Sequence, residues 1–484
     1  MTPDQYAPEE PISSIATALA PAALGIVRVS GKGCIELVSR VFSRKKALLD
    51  APGNTLVYGW ILDQKNSGEQ GFHKVDEVML AVYRSPKSFT GEDMVEIFCH
   101  GGPAVVTAIQ NLMLKIGFRQ ANRGEYTFRA YINGKTDLTR AEAVKEIIDS
   151  HTDVSRSHAA GRLAGSLFEE IDSIKKLIID TLAAIEVEIE YPEDEETIAD
   201  SFDRSDIEAA ASRLKSLADS WKGEKLYQDG ARVVLAGRTN AGKSSLFNAI
   251  LKEERAIVSD IEGTTRDWLE SWASINGIPV RLFDTAGLRE TGDEIEAQGV
   301  EISRSLIHEA DVVLYLVDSQ GGLNEEDREF IKKCTEPLIV VETKCDLNGG
   351  VTGAEPQLEG VAEATTGGAE EGGARGKRPP AICRISSKTG EGLSELYLQI
   401  TAILTAGLST ERTQAGLGSA RQKEAVSEAL ECVKHALISA DDNYTLDAVV
   451  QDLEDALDFL GEVTGDITPD DVLGSIFENF CVGK

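Results

Sequence analysis

Hydrophobic and polar residues change their period along this chain, and each change predicts a different kind of structure. Over residues 1–133 the apolar positions come in short runs. Residues 25–30 alternate, 78–83 form a nearly unbroken apolar run, and 94–99 alternate again, which predicts strands. Residues 104–116 carry apolar side chains at helical spacing, so this stretch reads as an α+β module. From Leu138 the period lengthens. Leu163, Leu167, Ile171, Ile174, Ile178, Leu182 and Ile185 step by four and three, the stripe of one long helix buried along one side. The acidic stretch 186–196, interrupted by Pro192, predicts its end. Another helical run covers 203–221. Strand and helix patterns alternate from Arg232 to about Leu404, with apolar strands at 311–318 and 337–346. Helices return at 419–437 and 446–460, the latter with Leu446, Val449, Val450, Leu453, Leu457 and Leu460 on one side.

Helical segments on both flanks of an α/β block predict one bundle with a domain inserted into it, which is tolerated where the connection points lie close together. The expected boundaries are an N-terminal domain at 1–133, helical segments at 134–228 and 407–484, and the inserted domain at 229–406. Residues 349–380, rich in Gly, Ala and Glu without an apolar period, read as a flexible surface insertion.

Composition narrows the partners. With 49 Lys and Arg against 81 Asp and Glu the formal charge is −32, which argues against a whole-surface nucleic-acid binder. An RNA partner would need a local basic patch or a second protein to hold most of it. The 7 cysteines are scattered without C-x-x-C pairs, which suits a reducing cytosol and argues against a disulfide framework or a structural zinc site. No apolar leader or long uncharged apolar run is seen, so a cytoplasmic protein with no membrane association is expected.

The densest chemistry lies at 233–248, where an apolar strand meets Gly237-x-x-x-x-Gly242-Lys243-Ser244 and then a helix start. Glycines let backbone N–H groups approach phosphate oxygens, and the helix adds its positive N-terminal end. Lys243 can reach the β- and γ-phosphates, and the Ser244 hydroxyl can ligate Mg²⁺. Asn240, Ala241, Gly242, Lys243, Ser244 and Ser245 are therefore candidate nucleotide contacts. Downstream, a strand ends in Asp284-Thr285-Ala286-Gly287. Asp284 can hold Mg²⁺ through water and the Gly287 N–H can sense a γ-phosphate. Between these motifs Thr264 and Thr265 lie in Gly263-Thr-Thr-Arg-Asp267, where Thr265 could complete the metal shell only with the γ-phosphate present, making a switch. Asp346, in Thr343-Lys344-Cys-Asp346, can accept both guanine N1–H and N2–H₂, a donor pair adenine lacks, so the nucleotide is read as GTP. Ser386, Ser387 and Lys388 would close over the base. The inserted domain is thus expected to be an α/β P-loop GTPase of the Ras-like kind. Leu288 stands where many regulatory GTPases carry a water-orienting Gln, and it cannot do that work.

Together with Gly25-Ile-Val-Arg-Val-Ser-Gly31, Ser88-Phe-Thr-Gly-Glu-Asp93, His100-Gly-Gly102, Gly124-Glu-Tyr-Thr127, Asn133-Gly-Lys135 and the terminal Phe480-Cys-Val-Gly-Lys484, these motifs resemble the MnmE (TrmE) family of tRNA-modification GTPases from end to end. The resemblance implies a folate-binding N-terminal domain that dimerises, a discontinuous helical domain, and a GTPase domain activated by K⁺-dependent pairing. It places K⁺ at Asn240, Ser259, Ile261 and Thr264, and a catalytic Glu at Glu296 alongside Lys243. Arg28, Glu96, Lys135 and Lys484 match the family's folate contacts, with 5,10-methylene-tetrahydrofolate or a formyl-tetrahydrofolate analogue as the ligand. Cys481 is the motif cysteine, a candidate for attack on the uracil ring; a buried Cys packed beside Phe477 and Phe480 is the alternative. Two departures are visible: Thr343 replaces the usual Asn of the base motif, and Ala20-Pro-Ala-Ala-Leu24 replaces a Gly- and Arg-rich turn. The function implied is C5 modification of wobble uridine in tRNA, carried out with an FAD-containing MnmG-type partner in a heterotetramer or larger complex. In that complex the partner holds most of the tRNA. A ribosome-assembly GTPase, or a folate-dependent one-carbon transferase with a vestigial GTPase domain, are the competing expectations.

Overall fold

The alternating runs near the N-terminus pair into a six-stranded sheet ordered β3-β4-β5-β2-β1-β6. Its strands are β1 (Ile12–Ile15), β2 (Ala22–Ser30), β3 (Thr55–Gln64), β4 (Phe72–Tyr83), β5 (Met94–Gly101) and β6 (Arg119–Gln120). The computed structural model describes residues 10–64, 72–190, 204–253, 269–284, 305–348, 380–408, 415–441, 446–468 and 470–483. Helices α1 (Cys34–Ser39), α2 (Lys45–Leu49) and α3 (Pro103–Lys115) supply the core for one sheet face. Every second strand residue points there, with Val27, Val29, Leu80, Val95 and Ile97 packed against Ile35, Ile109 and Met113. The opposite face carries Ile26, Phe98, Met79 and Tyr58 in register across four neighbouring strands. Helix α4 (Glu125–Ile132) follows, with Arg129 buried between Glu125 and Glu92.

The next helices are α5 (Leu138–Asp149), α6 (Asp153–Ala164), α7 (Ser166–Glu190) and α8 (Ser205–Asp229). The predicted stripe from Leu163 to Ile185 is thus divided. Gly165, at φ +114°, separates α6 from α7, and Leu163 on α6 is exposed. The stripe proper runs from Leu167 to Ile185, all of it buried. Helix α8 extends past the expected end at Trp221, because Leu226 and Tyr227 pack on the core of the second sheet.

That second sheet has the order β12-β11-β10-β7-β9-β8. In chain order its elements are β7 (Ala231–Gly237), α9 (Lys243–Glu253), β8 (Leu269–Ile275), β9 (Ile278–Asp284), β10 (Val312–Asp318), α10 (Glu325–Lys333), β11 (Leu338–Thr343), β12 (Ala381–Arg384) and α11 (Leu393–Leu404). All neighbours are parallel except the edge pair β8–β9. Strand β11 stops at Thr343 and a 3₁₀ turn, Cys345–Asn348, carries Asp346, so that Asp lies beyond the strand the sequence suggested. This is the multidomain arrangement expected, with a Ras-like α/β domain. Helices α12 (Ala420–Asp441), α13 (Leu446–Thr464) and α14 (Asp470–Glu478) complete the chain, and α13 packs against α7 and α12.

The chain divides into two units, each assembled from separate stretches. One comprises Met1–Lys145, Arg162–Lys215 and Ala420–Lys484; the other comprises Glu146–Gly161 and Ser216–Ser419.

Candidate functional site

Parallel strands deliver their C-terminal ends to one edge of a sheet, where the loops of an open α/β fold gather. At that edge of the second sheet, β7 runs into the turn that opens α9. Gly237 adopts φ +135°, and a Cβ there would sit 2.5 Å from the Leu316 carbonyl oxygen, so only glycine lets the loop pass β10 this closely. Lys243 is buried and donates from Nζ to the carbonyls of Gly237 (2.8 Å) and Arg238 (2.7 Å). Its ammonium is thus folded back over the loop that phosphate oxygens would occupy. Ser244 Oγ donates to Asp284 Oδ2 at 2.8 Å. A hydroxyl and a buried carboxylate converging at the mouth of the loop are hard oxygen donors of the kind Mg²⁺ takes. These two residues fit the cation.

Residues at the end of β11 clasp the loop from the side, braced from the end of β10. Thr343 Oγ1 lies 2.8 Å from the Ala241 carbonyl and 3.2 Å from that of Val317, its hydroxyl buried. Lys344 Nζ donates to the Asn240 carbonyl at 2.9 Å and to Asp318 Oδ2 at 2.7 Å. The Lys344 hydrogen bond holds the Asp318 carboxyl below the usual carboxylate range. Ser386, fully buried, donates to Asp346 Oδ1 at 2.8 Å, orienting the carboxylate expected to read a guanine. Ser387 is half-buried and Lys388 exposed on the same turn. Asn240 is exposed at the top of the loop with φ +62°. The structure therefore brings together Asn240, Ala241, Gly242, Lys243, Ser244, Ser245, Asp284, Thr343, Lys344, Asp346 and Ser386. Ser259, Ile261, Thr264, Thr265, Thr285, Ala286, Gly287, Leu288 and Glu296 lie outside the described residues, as does most of the segment 349–380. Sequence reasoning missed Asp318, the acid that pins Lys344, and Arg238, whose side chain reaches α10; neither stands in a spacing that announces a role.

A second constellation lies on the N-terminal sheet. Arg28 and Glu96 are register partners on β2 and β5, joined at 2.9 Å. The Arg28 guanidinium also donates to the Gly483 carbonyl at 3.0 Å and sits 5.2 Å from the Phe89 ring centre. Tyr83 donates to Glu96, and burial pushes its phenol up. Lys135 Nζ reaches the Pro86 carbonyl at 3.0 Å, so Lys135 and Arg28 both touch the loop 85–93 that carries Phe89. A guanidinium and an ammonium suit carboxylates, and the Glu96 oxygens suit ring N–H donors, so the set fits a folate. The chain's end is anchored here: the Gly124 N–H donates to the Cys481 carbonyl at 3.4 Å, and Val482 bridges Arg123. Phe480 is buried with Phe128, Leu138 and Phe477, whereas Cys481 is exposed, so the buried packing alternative for Cys481 does not hold. Lys484 lies outside the described residues.

Comparison with known proteins gives matches over almost the whole chain. Residues 11–135 match the family model described as GTP-binding protein TrmE N-terminus, and residues 138–481 match the MnmE helical domain. A Treponema denticola protein named tRNA modification GTPase MnmE is 51% identical over 487 residues, covering 99% of each chain. Proteins of the same name from Treponema pallidum and Borrelia turicatae are 43% and 39% identical, covering all of both chains and 98% of both, respectively.

Proposed function

The chain belongs to the MnmE family of tRNA modification GTPases, and from that premise we propose that it couples GTP hydrolysis to C5 modification of wobble uridine with a folate one-carbon donor. It is a GTP hydrolase of tRNA modification; the uridine position, the donor and the partners are the proposal. The observation that carries the nucleotide part is the convergence of the Gly237–Ser244 loop, Asp284 and the Ser386-held Asp346 on one sheet edge.

In this reading the loop N–H groups and Lys243 bind the phosphates, Lys243 exchanging two carbonyls for phosphate oxygens as GTP enters. Ser244, Asp284 and Thr265 would hold Mg²⁺, which supplies charge neutralisation between the β- and γ-phosphates. Asp346 selects guanine while Lys344 and Thr343 keep the loop in register. Asn240, Ser259, Ile261 and Thr264 would hold K⁺, in the role an arginine finger has elsewhere, and Glu296 would orient the attacking water in place of Leu288. Arg28, Glu96 and Lys135 of the N-terminal domain, together with the C-terminal Lys484, would hold the folate, and exposed Cys481 is the candidate for attack on the uracil ring. The row Ile26–Phe98–Met79–Tyr58 on the open sheet face supports a homodimer. With a formal charge of −32, most contact with tRNA falls to an FAD-containing MnmG-type partner. Among the described residues no helix is long and apolar enough to cross a membrane.

Mass spectrometry of wobble uridine in cells lacking this protein tests the proposal. Loss of the C5 substituent, restored by the wild-type chain but not by Lys243→Ala, is the expected result. Normal uridine with defective ribosomal subunits would transfer the protein to ribosome assembly. Full rescue by Lys243→Ala would make the GTPase domain vestigial.

A further inference from the structure

We propose that Arg238 is a positioning residue for nucleotide binding, holding the first peptide of the phosphate loop by locking its guanidinium onto buried Asp327 at the start of α10. The proposal rests on the reading of residues 237–244 as the phosphate loop. Arg238 works in two directions. Its carbonyl accepts from Lys243 Nζ at 2.7 Å, inside the loop. Its side chain leaves the loop, with Nη2 donating to the Gly322 carbonyl at 2.7 Å and lying 3.0 Å from Asp327 Oδ2. Asp327 is fully buried. A carboxylate in such a place is costly unless a cation and further donors meet it, and breaking one partner away is worse than never having had the pair. Arg238 supplies the charge. The remaining donors come from the α10 end: Tyr315 OH donates to Oδ1 at 2.7 Å and the Asn324 N–H to Oδ2 at 2.9 Å.

Asp327 is also a rigid post. Its own N–H donates to Asn324 Oδ1 at 2.8 Å, closing a reciprocal capping box, and Tyr315 stacks on Phe330 at 4.5 Å between ring centres. The later part of the loop is held separately, by Thr343 at Ala241 and Lys344 at Asn240. With Arg238 fixed, both ends of the loop are set before a nucleotide arrives. Without it, the first peptide and the carbonyl that meets Lys243 are free to reorder. Binding then carries the ordering cost, while the bound state still has Lys243, Ser244 and Asp284 for chemistry. The signature is a rise in Kd and KM with kcat preserved.

The experiment measures binding of a fluorescent GDP analogue and steady-state GTP hydrolysis with the full chain. Arg238→Ala should raise Kd and KM about tenfold, the loss of roughly one charge-assisted hydrogen bond, and leave kcat within about twofold. Arg238→Lys should recover part of the affinity. Asp327→Asn should weaken binding too, and the Arg238→Ala/Asp327→Asn double variant should bind no more weakly than Arg238→Ala, because both changes remove one link. Tyr315→Phe keeps the Arg–Asp pair, so its affinity should stay at the wild-type value even though its melting temperature falls. Wild-type Kd in Arg238→Ala, fully additive losses in the double variant, or a Tyr315→Phe loss as large as that of Arg238→Ala would overturn the proposal. Lys243→Ala separates the two levels. If it binds normally, the phosphate-loop reading itself fails; if it loses binding while Arg238→Ala does not, only the role of Arg238 fails.

Discussion

Thr343 shows how a departure from a motif is absorbed by its surroundings. The hydroxyl is buried and meets the Ala241 carbonyl at 2.8 Å, so the residue ties the phosphate loop to β11. Thr343→Val keeps the shape and removes the donor, leaving a buried carbonyl unpaired at a cost of about 1–3 kcal/mol. GTP affinity should fall about tenfold while the preference for GTP over ATP persists, because Asp346 and Ser386 are untouched. Competition binding with both nucleotides checks this, and a lost preference would move base reading to Thr343. Much of this candidate site was legible, since Lys243, Ser244 and Asp284 stand in motifs suited to a triphosphate with its metal, and Asp346 in one suited to guanine. Asp318 and Asp327 were not, because a carboxylate that braces a functional group by long-range contact leaves no local pattern. At another residue, His100 Nδ1 lies 2.7 Å from Asp76 Oδ1, and that hydrogen bond raises the imidazole pKa. A raised folded-state pKa means the contribution is complete below the unfolded value near 6.5 and is lost as pH rises through the higher folded value. Exposure keeps it small. Histidine NMR titration should show His100 protonating above the unperturbed value, and Asp76→Asn should bring it back; an unshifted titration would remove the pair from consideration.

Elements were read best where their own period carried them. Strands β2 and β5 and helices α3 and α13 lie close to where alternation and helical spacing put them, because each has one face in a core. The errors have two opposite causes. A spacing of four between Leu163 and Leu167 continues the helical period across Gly165, although the backbone breaks there, so pattern alone counts one helix where there are two. Helix α8 erred the other way, its last turns resting on tertiary packing of Leu226 and Tyr227 instead of a stripe. The division has a measurable consequence. Ile174, buried on α7, should cost about 2–5 kcal/mol when changed to Ala, the range for truncating a core aliphatic side chain. Leu163→Ala, on the exposed side of α6, should stay within about 0.5 kcal/mol. Urea unfolding of the two variants decides it; equal losses would restore the single continuous stripe.

For the whole molecule, the helical flanks announced an insertion, but not that the unit borders at 145/146, 161/162 and 215/216 would fall inside continuous helices. Periodicity reports which face of a helix is buried and is blind to which unit buries it. The same blindness hid the open face of the N-terminal sheet, because an alternating strand looks half-exposed whether or not a second copy covers it. On that face Tyr58 and Met79 are 50% and 42% exposed, flanked by Leu56 and Leu24 at 60% and 63%. Adjacent apolar residues spread over four strands are more than scattered surface hydrophobics, and a contiguous patch of this kind marks an interaction surface. A two-fold interface fits it well, since one self-complementary patch closes the assembly. Met79→Glu places a charge in the middle of the row. The position is open in the single chain, so folding stability should change by no more than about 0.5 kcal/mol. In a dimer the same carboxylate would be desolvated against its own copy, a like-charge pair in an apolar seam. Sedimentation equilibrium should therefore find the wild-type chain dimeric at micromolar concentration and Met79→Glu monomeric with an unchanged melting temperature. A variant that remained dimeric would place the contact on another surface and leave this face to a different protein.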